Sequence, residues 1–101
     1  MAIIGTFTSK DGKYTGKIQT LGLNANVIFL PNTSTGPDAP AYRAFSGKLE
    51  LGAGWEKTSE SSGRQYLSVR LDDPSFPAPI FASLVAQEDD TFALLWSRPR
   101  S

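Results

Sequence analysis

Apolar and polar residues alternate along most of this chain, and a period of two predicts β-strands. Ile3 to Thr8 is β-rich, Asp11-Gly12 is a strong two-residue turn signal, and Tyr14 to Leu21 resumes the run, which together read as a hairpin. In its second arm Tyr14, Gly16 and Ile18 share one face and Thr15, Lys17 and Gln19 the other, so one side is wet. Gly16 inside such a strand signals a bulge or a close backbone approach. Ala25 to Leu30 is too short for a typical helix and is rich in β-branched and aromatic residues, and it is read as a third strand.

Pro31 to Pro40 gathers Pro, Asn, Thr, Ser, Gly and Asp and is the longest irregular stretch, a disordered or partner-binding loop. Ala41 to Lys57 is strand-like but interrupted by glycine. Its alternating Leu49, Leu51, Ala53 and Trp55 are expected to face the core, with Lys48, Glu50, Glu56, Gly52 and Gly54 on the solvated side. Thr58 to Gly63 is a polar hairpin loop. Arg64 to Leu71 then alternates cleanly, with Leu67, Val69 and Leu71 inward and Arg64, Tyr66, Ser68 and Arg70 outward.

Asp72 to Pro79 holds three prolines and is excluded from any central strand, because proline gives the ladder no donor. Ile80 to Gln87 and Thr91 to Ser97 form a closing hairpin through Glu88-Asp89-Asp90. A helix over Ile80 to Ala86 is the alternative there, opposed by Pro79 and by the short length. Arg98-Pro99-Arg100-Ser101 leaves as a basic tail. The sum is an all-β fold, a small barrel or sandwich of six to seven mainly antiparallel strands, SH3-like, Sm-like or OB-like.

Composition narrows the chemistry. At 101 residues the chain is one domain over 1–101, with 40% hydrophobic and 20% charged residues. Cysteine and histidine are both absent, which removes disulfides, the usual zinc ligands and every Ser-His or Cys-His nucleophile pair, so no enzyme and no cofactor are expected. Ten Lys plus Arg balance ten Asp plus Glu, so any attraction to nucleic acid must come from local charge asymmetry. No apolar run reaches the length of a membrane span and no leader pattern precedes Phe7, which predicts a cytoplasmic protein without membrane contact.

The run Tyr66-Leu67-Ser68-Val69-Arg70-Leu71-Asp72-Asp73-Pro74-Ser75-Phe76-Pro77-Ala78-Pro79-Ile80 resembles the bacterial domain-of-unknown-function family numbered 736. Ile4-Gly5-Thr6-Phe7, Gly52-Ala53-Gly54-Trp55 with Lys57-Thr58-Ser59, and Leu95-Trp96-Ser97-Arg98-Pro99-Arg100 carry the same likeness. The resemblance implies no activity and no functional residues. It implies small bacterial proteins, often encoded on plasmids or integrated mobile elements, and by that association DNA handling.

Arg64, Tyr66 and Arg70 project from one strand face, an aromatic platform between guanidinium groups of the kind that holds single-stranded nucleic acid. The competing reading is an ordinary solvated face. Tyr42, Arg43, Lys48 and Lys57 extend that surface if their strand neighbours it, while Glu50 and Glu56 are placed to neutralise it. A protein partner, or a second copy of the chain, docking on an edge strand or on either Pro-rich loop is the alternative. Asp72-Asp73 is read as a turn former rather than a cation site, Glu88-Asp89-Asp90 as a hairpin tip, and Trp55 and Trp96 as core. Gly52-Ala53-Gly54 lacks the helix and third glycine of a phosphate loop.

Overall fold

The computed structural model describes residues 2–33, 36 and 38–97. The basic tail, and Ser34, Thr35 and Pro37 of the long loop, lie outside the described residues. Among the described residues eight strands follow one another: β1 (Ala2–Lys10), β2 (Lys13–Gln19), β3 (Asn24–Pro31), β4 (Tyr42–Ser46), β5 (Leu49–Thr58), β6 (Gln65–Leu71), β7 (Ile80–Ala86) and β8 (Thr91–Trp96). Each pairs antiparallel with its neighbour in sequence, and β8 returns to β1, so the sheet closes into a barrel with no free edge.

The barrel class is as expected, but the strand count is eight because Ala41 to Lys57 is two strands rather than one. Gly47 adopts a positive φ of 61° in the turn between β4 and β5, so the glycine taken for an interruption is a chain reversal. The first hairpin turns where expected, with Asp11 and Gly12 at φ 54° and 77°, both in the left-handed region that a tight hairpin requires. Ile80–Ala86 is a strand.

Inward residues fill the interior. Phe7, Ile18, Phe29, Ala44, Leu71 and Leu94 are fully buried, with Leu67, Val69 and Leu84 beside them, as the alternation of β6 predicted. Phe7 and Phe29 meet edge to face at 5.4 Å. Gly16 lies opposite Phe7, and a Cβ there would sit 2.7 Å from the Phe7 ring and 2.1 Å from the Thr6 carbonyl oxygen. The close approach that Gly16 signalled is therefore between β1 and β2.

Two irregularities of register set which side chains point out. Between β1 and β8 the pairing jumps from Ile3 to Gly5, so Ile4 and Gly5 both end up buried. Between β4 and β5 Phe45 pairs with Glu50 and Ala44 with Gly52, leaving Leu51 as the extra, buried residue. That bulge inverts the expected alternation. Gly52 and Gly54 face inward, toward Leu71 and Leu67, whereas Ala53 and Trp55 face outward and Leu49 is exposed. The expectation that Ala53 and Trp55 face the core is corrected by this one inserted residue, whereas Leu49, which precedes it, is exposed because it is the first residue of β5, at the end of the barrel. Trp96 does pack against the core.

Candidate functional site

The outer wall over β5, β6 and β7 is a grid fixed by the register. Trp55 lies across from Ser68, and Ser68 from Ser83, which in turn pairs with Leu95 of β8. One step toward one end of the barrel Lys57 pairs with Tyr66, and one step toward the other Arg70 pairs with Phe81. Two serines at the centre leave a low floor, and the larger side chains stand around it. The result is an open groove of about 1050 Å³ lined by Arg64, Tyr66, Ser68, Phe81, Ser83 and Leu95 among others. A hollow of about 310 Å³ lined by Glu50, Trp55, Arg70 and Asp72 adjoins it.

The seven basic and aromatic residues singled out from the sequence do not all gather here. Arg64 and Tyr66 line the groove, and Lys57 stands beside Tyr66. Arg70 shares the wall but lies 3.8 Å from the Asp72 carboxylate. Arg43 is separated from β6 by the whole of β5 and is held by Glu50, with Nε donating to Oε2 at 2.7 Å and Nη2 donating to Oε1. This clamp holds the Glu50 carboxyl below its ordinary range and raises the Arg43 guanidinium. The neutralising role foreseen for Glu50 is real, whereas Glu56 points the other way. Tyr42 is not on this surface at all. It is one residue from Arg43, so it faces the barrel interior, and Lys48 sits in the β4–β5 turn.

Two residues of the wall were missed. Trp55, read as core, is half-buried on the outside, and its Nε1 donates to the Asp38 carbonyl at 3.1 Å, tying the β3–β4 loop to the barrel wall. Asn32 closes the same loop by donating from Nδ2 to the Pro40 carbonyl at 3.0 Å. Phe81 is 58% exposed, a large apolar surface with no packing reason to be there.

The inward rows end, at the side of the β1–β2, β3–β4, β5–β6 and β7–β8 connections, in a second recess of about 240 Å³ lined by Tyr14, Tyr42, Glu56, Gln65, Tyr66, Leu67, Leu84 and Phe92. Tyr14 stands edge to face with Tyr42 at 5.2 Å and with Phe92 at 4.9 Å. Burial raises the Tyr14 phenol above its ordinary value of 10.0, and the neighbouring Tyr42 and Glu56 push it further. A phenol whose folded pKa is raised contributes stability that is fully present below the unfolded value and is lost as pH rises through the folded one. Unfolding midpoints measured across alkaline pH are expected to hold steady below about pH 10 and to fall above it, with part of the fall removed in Tyr14→Phe.

Among the described residues no group of three or more His, Cys, Asp and Glu stands placed to hold a metal ion. Asp73 accepts hydrogen bonds from Ser75 N at 2.9 Å and Ser75 Oγ at 2.5 Å, the turn-forming use expected of it, and its pKa is lowered accordingly. Asp89 accepts from Thr91 Oγ1 across the β7–β8 turn, as a hairpin tip would. No described helix is long and apolar enough to cross a membrane.

No curated protein and no solved structure matches the chain. The model of one family, described as "Protein of unknown function (DUF736)", matches residues 3–99, and the chain belongs to that family.

Proposed function

We propose that this protein is a non-enzymatic cytoplasmic binding module whose outer groove over β6, β7 and β8 takes single-stranded nucleic acid. One observation carries the reading: Tyr66, Phe81 and Trp55 stand around the Ser68–Ser83 floor on one wall, with Lys57, Arg64 and Arg70 at its margins. Aromatic faces accept any base by stacking, hydroxyls offer hydrogen bonds to base edges, and cations at the margin follow the phosphates. Arg64 has no ion pair among the described residues and Arg70 only a long, exposed one, so both are available to a phosphate. Arg43, across Ala53 from Arg70, is already clamped to Glu50 and takes no part.

A fluorescently labelled oligonucleotide titrated at low and at moderate salt tests this. Binding is expected at low salt, weakening as salt rises with a slope set by about three phosphate contacts, one for each cation named. Absence of binding even at low salt would overturn the proposal, because phosphate contacts are strongest there. A protein partner is the second reading, favoured by the apolar rim of the same wall, where Ile3 is 60% exposed opposite Leu95. It is distinguished by light scattering and co-purification with the wild-type chain, and a strict monomer that retains no partner counts against it.

A further inference from the structure

The recess at the barrel mouth is a site separate from the outer groove. An eight-stranded barrel has an interior just wide enough to be filled by side chains or to admit one small ligand at its mouth. Here the filling stops at Leu67 and Leu84, and above them the wall is Tyr14, Tyr42 and Phe92 with the Glu56 carboxylate among them. Glu56 is exposed and makes no ion pair among the described residues, so its charge is unspent.

The rim adds a second, independent observation. The four connections at this end, residues 11–12, 32–41, 59–64 and 87–90, carry six acidic residues, Asp11, Asp38, Glu60, Glu88, Asp89 and Asp90, against one basic residue, Arg64. Lys10 and Lys13 flank the first of these connections and Lys57 stands near the third, so with Glu56 the balance is seven acidic against four basic residues, and in a chain whose net charge is zero this end is negative and draws cations toward the opening. Its interior is poor ground for a metal ion, which needs several oxygen, nitrogen or sulfur ligands, since Glu56 is the lone carboxylate among the lining residues. Three aromatic rings packed edge to face beside one carboxylate instead match a cation whose charge is spread over methyl groups. The volume of about 240 Å³ lies just under the range of drug-sized sites and admits a headgroup rather than a nucleotide.

We infer that the barrel mouth binds a methylated ammonium group, held against Tyr14, Tyr42 and Phe92 and neutralised by Glu56. Such a group is presented either by a free quaternary amine or by a methylated lysine side chain.

Choline, its uncharged carbon isostere 3,3-dimethylbutan-1-ol, and a short peptide with trimethyllysine or unmodified lysine are titrated into the full chain, with the tyrosine and phenylalanine ring resonances followed by NMR. Saturable shifts are expected for choline or for the trimethyllysine peptide, and the tighter of the two identifies the source. The isostere and the unmodified peptide are expected to bind at least fivefold more weakly. Glu56→Gln, at an exposed position, is expected to weaken binding roughly fivefold. Tyr42→Leu should do the same, while Phe81→Ala, which alters only the outer groove, leaves it unchanged. Tyr66 borders both sites and is left intact. Equal binding of choline and its isostere, an unaffected Glu56→Gln, or shifts confined to residues away from the mouth would each overturn the inference.

Discussion

Gly16→Ala is expected to destabilise the barrel by about 3 kcal/mol and to lower its thermal midpoint by roughly 15 °C, whereas Gly22→Ala leaves both nearly unchanged. A Cβ at residue 16 falls 2.1 Å from the Thr6 carbonyl oxygen, 2.7 Å from the Phe7 ring and 2.8 Å from the Phe7 Cα. Two of those three atoms are backbone of the paired strand, so relief requires β1 and β2 to separate. The strain then passes to the buried Phe7–Phe29 contact. A Cβ at Gly22, in the β2–β3 turn, meets nothing within 4 Å, and one at Gly54 meets Leu67 and Phe29 at ordinary contact distances of 3.6–3.9 Å. The expected order of stability is therefore Gly22→Ala, then Gly54→Ala, then Gly16→Ala, read by thermal or urea unfolding followed by tryptophan fluorescence. Shortening Phe7 to leucine in the Gly16→Ala background is not expected to rescue it, because the nearest obstacle is the Thr6 carbonyl. A Gly16→Ala protein as stable as Gly22→Ala would contradict the strand spacing at the centre of the barrel.

What alternation alone makes legible is whatever a period of two and a local turn determine. The Asp11-Gly12 hairpin is of that kind, since both residues tolerate positive φ, and so is β6, whose Leu67, Val69 and Leu71 occupy one face without a break. The bulge at Leu51 is not. One extra residue leaves every amino acid a plausible strand former yet exchanges the two faces from Gly52 onward, and that exchange carried Trp55 from the expected core to the outside. Closure of the sheet was equally hidden, because the β1–β8 pairing joins Ala2 to Trp96 across the whole chain and no local signal announces it.

The candidate site divides in the same way. Arg64 and Tyr66 were legible because their strand has one apolar and one polar face. Phe81 was not, since β7 is apolar on both sides, with Ile80, Ala82 and Leu84 inward and Phe81 and Val85 outward, and the pattern assigns neither set to solvent. Tyr42 and Arg43 were grouped as neighbours in sequence, although neighbours in a strand face opposite ways. The aromatic mouth was beyond reach for a different reason: Tyr14, Tyr42, Glu56 and Phe92 come from four strands, and only the closed register brings them together.

Phe81→Ala and Tyr66→Ala are each expected to weaken oligonucleotide binding by about tenfold or more, since stacking of a base on an aromatic ring contributes about 1–3 kcal/mol. Phe81 gives the cleaner test. It is 58% exposed, so its removal costs the fold little, and it lies in the groove without touching the barrel mouth. Arg64→Ala should act differently. Its contact is with phosphate rather than with a base, so affinity should drop evenly across sequences and the dependence on salt should become shallower by about one ion. Arg43→Ala serves as the control for charge alone: it removes a cation already clamped by Glu50 on the β4 side of Ala53, outside the groove, and binding is expected to hold. If Arg43→Ala weakened binding as much as Arg64→Ala while Phe81→Ala had no effect, attraction would be diffuse and the groove would not be the site. If Phe81 and Tyr66 dominate and the salt slope follows Arg64, the wall around Ser68 and Ser83 is where the strand lies.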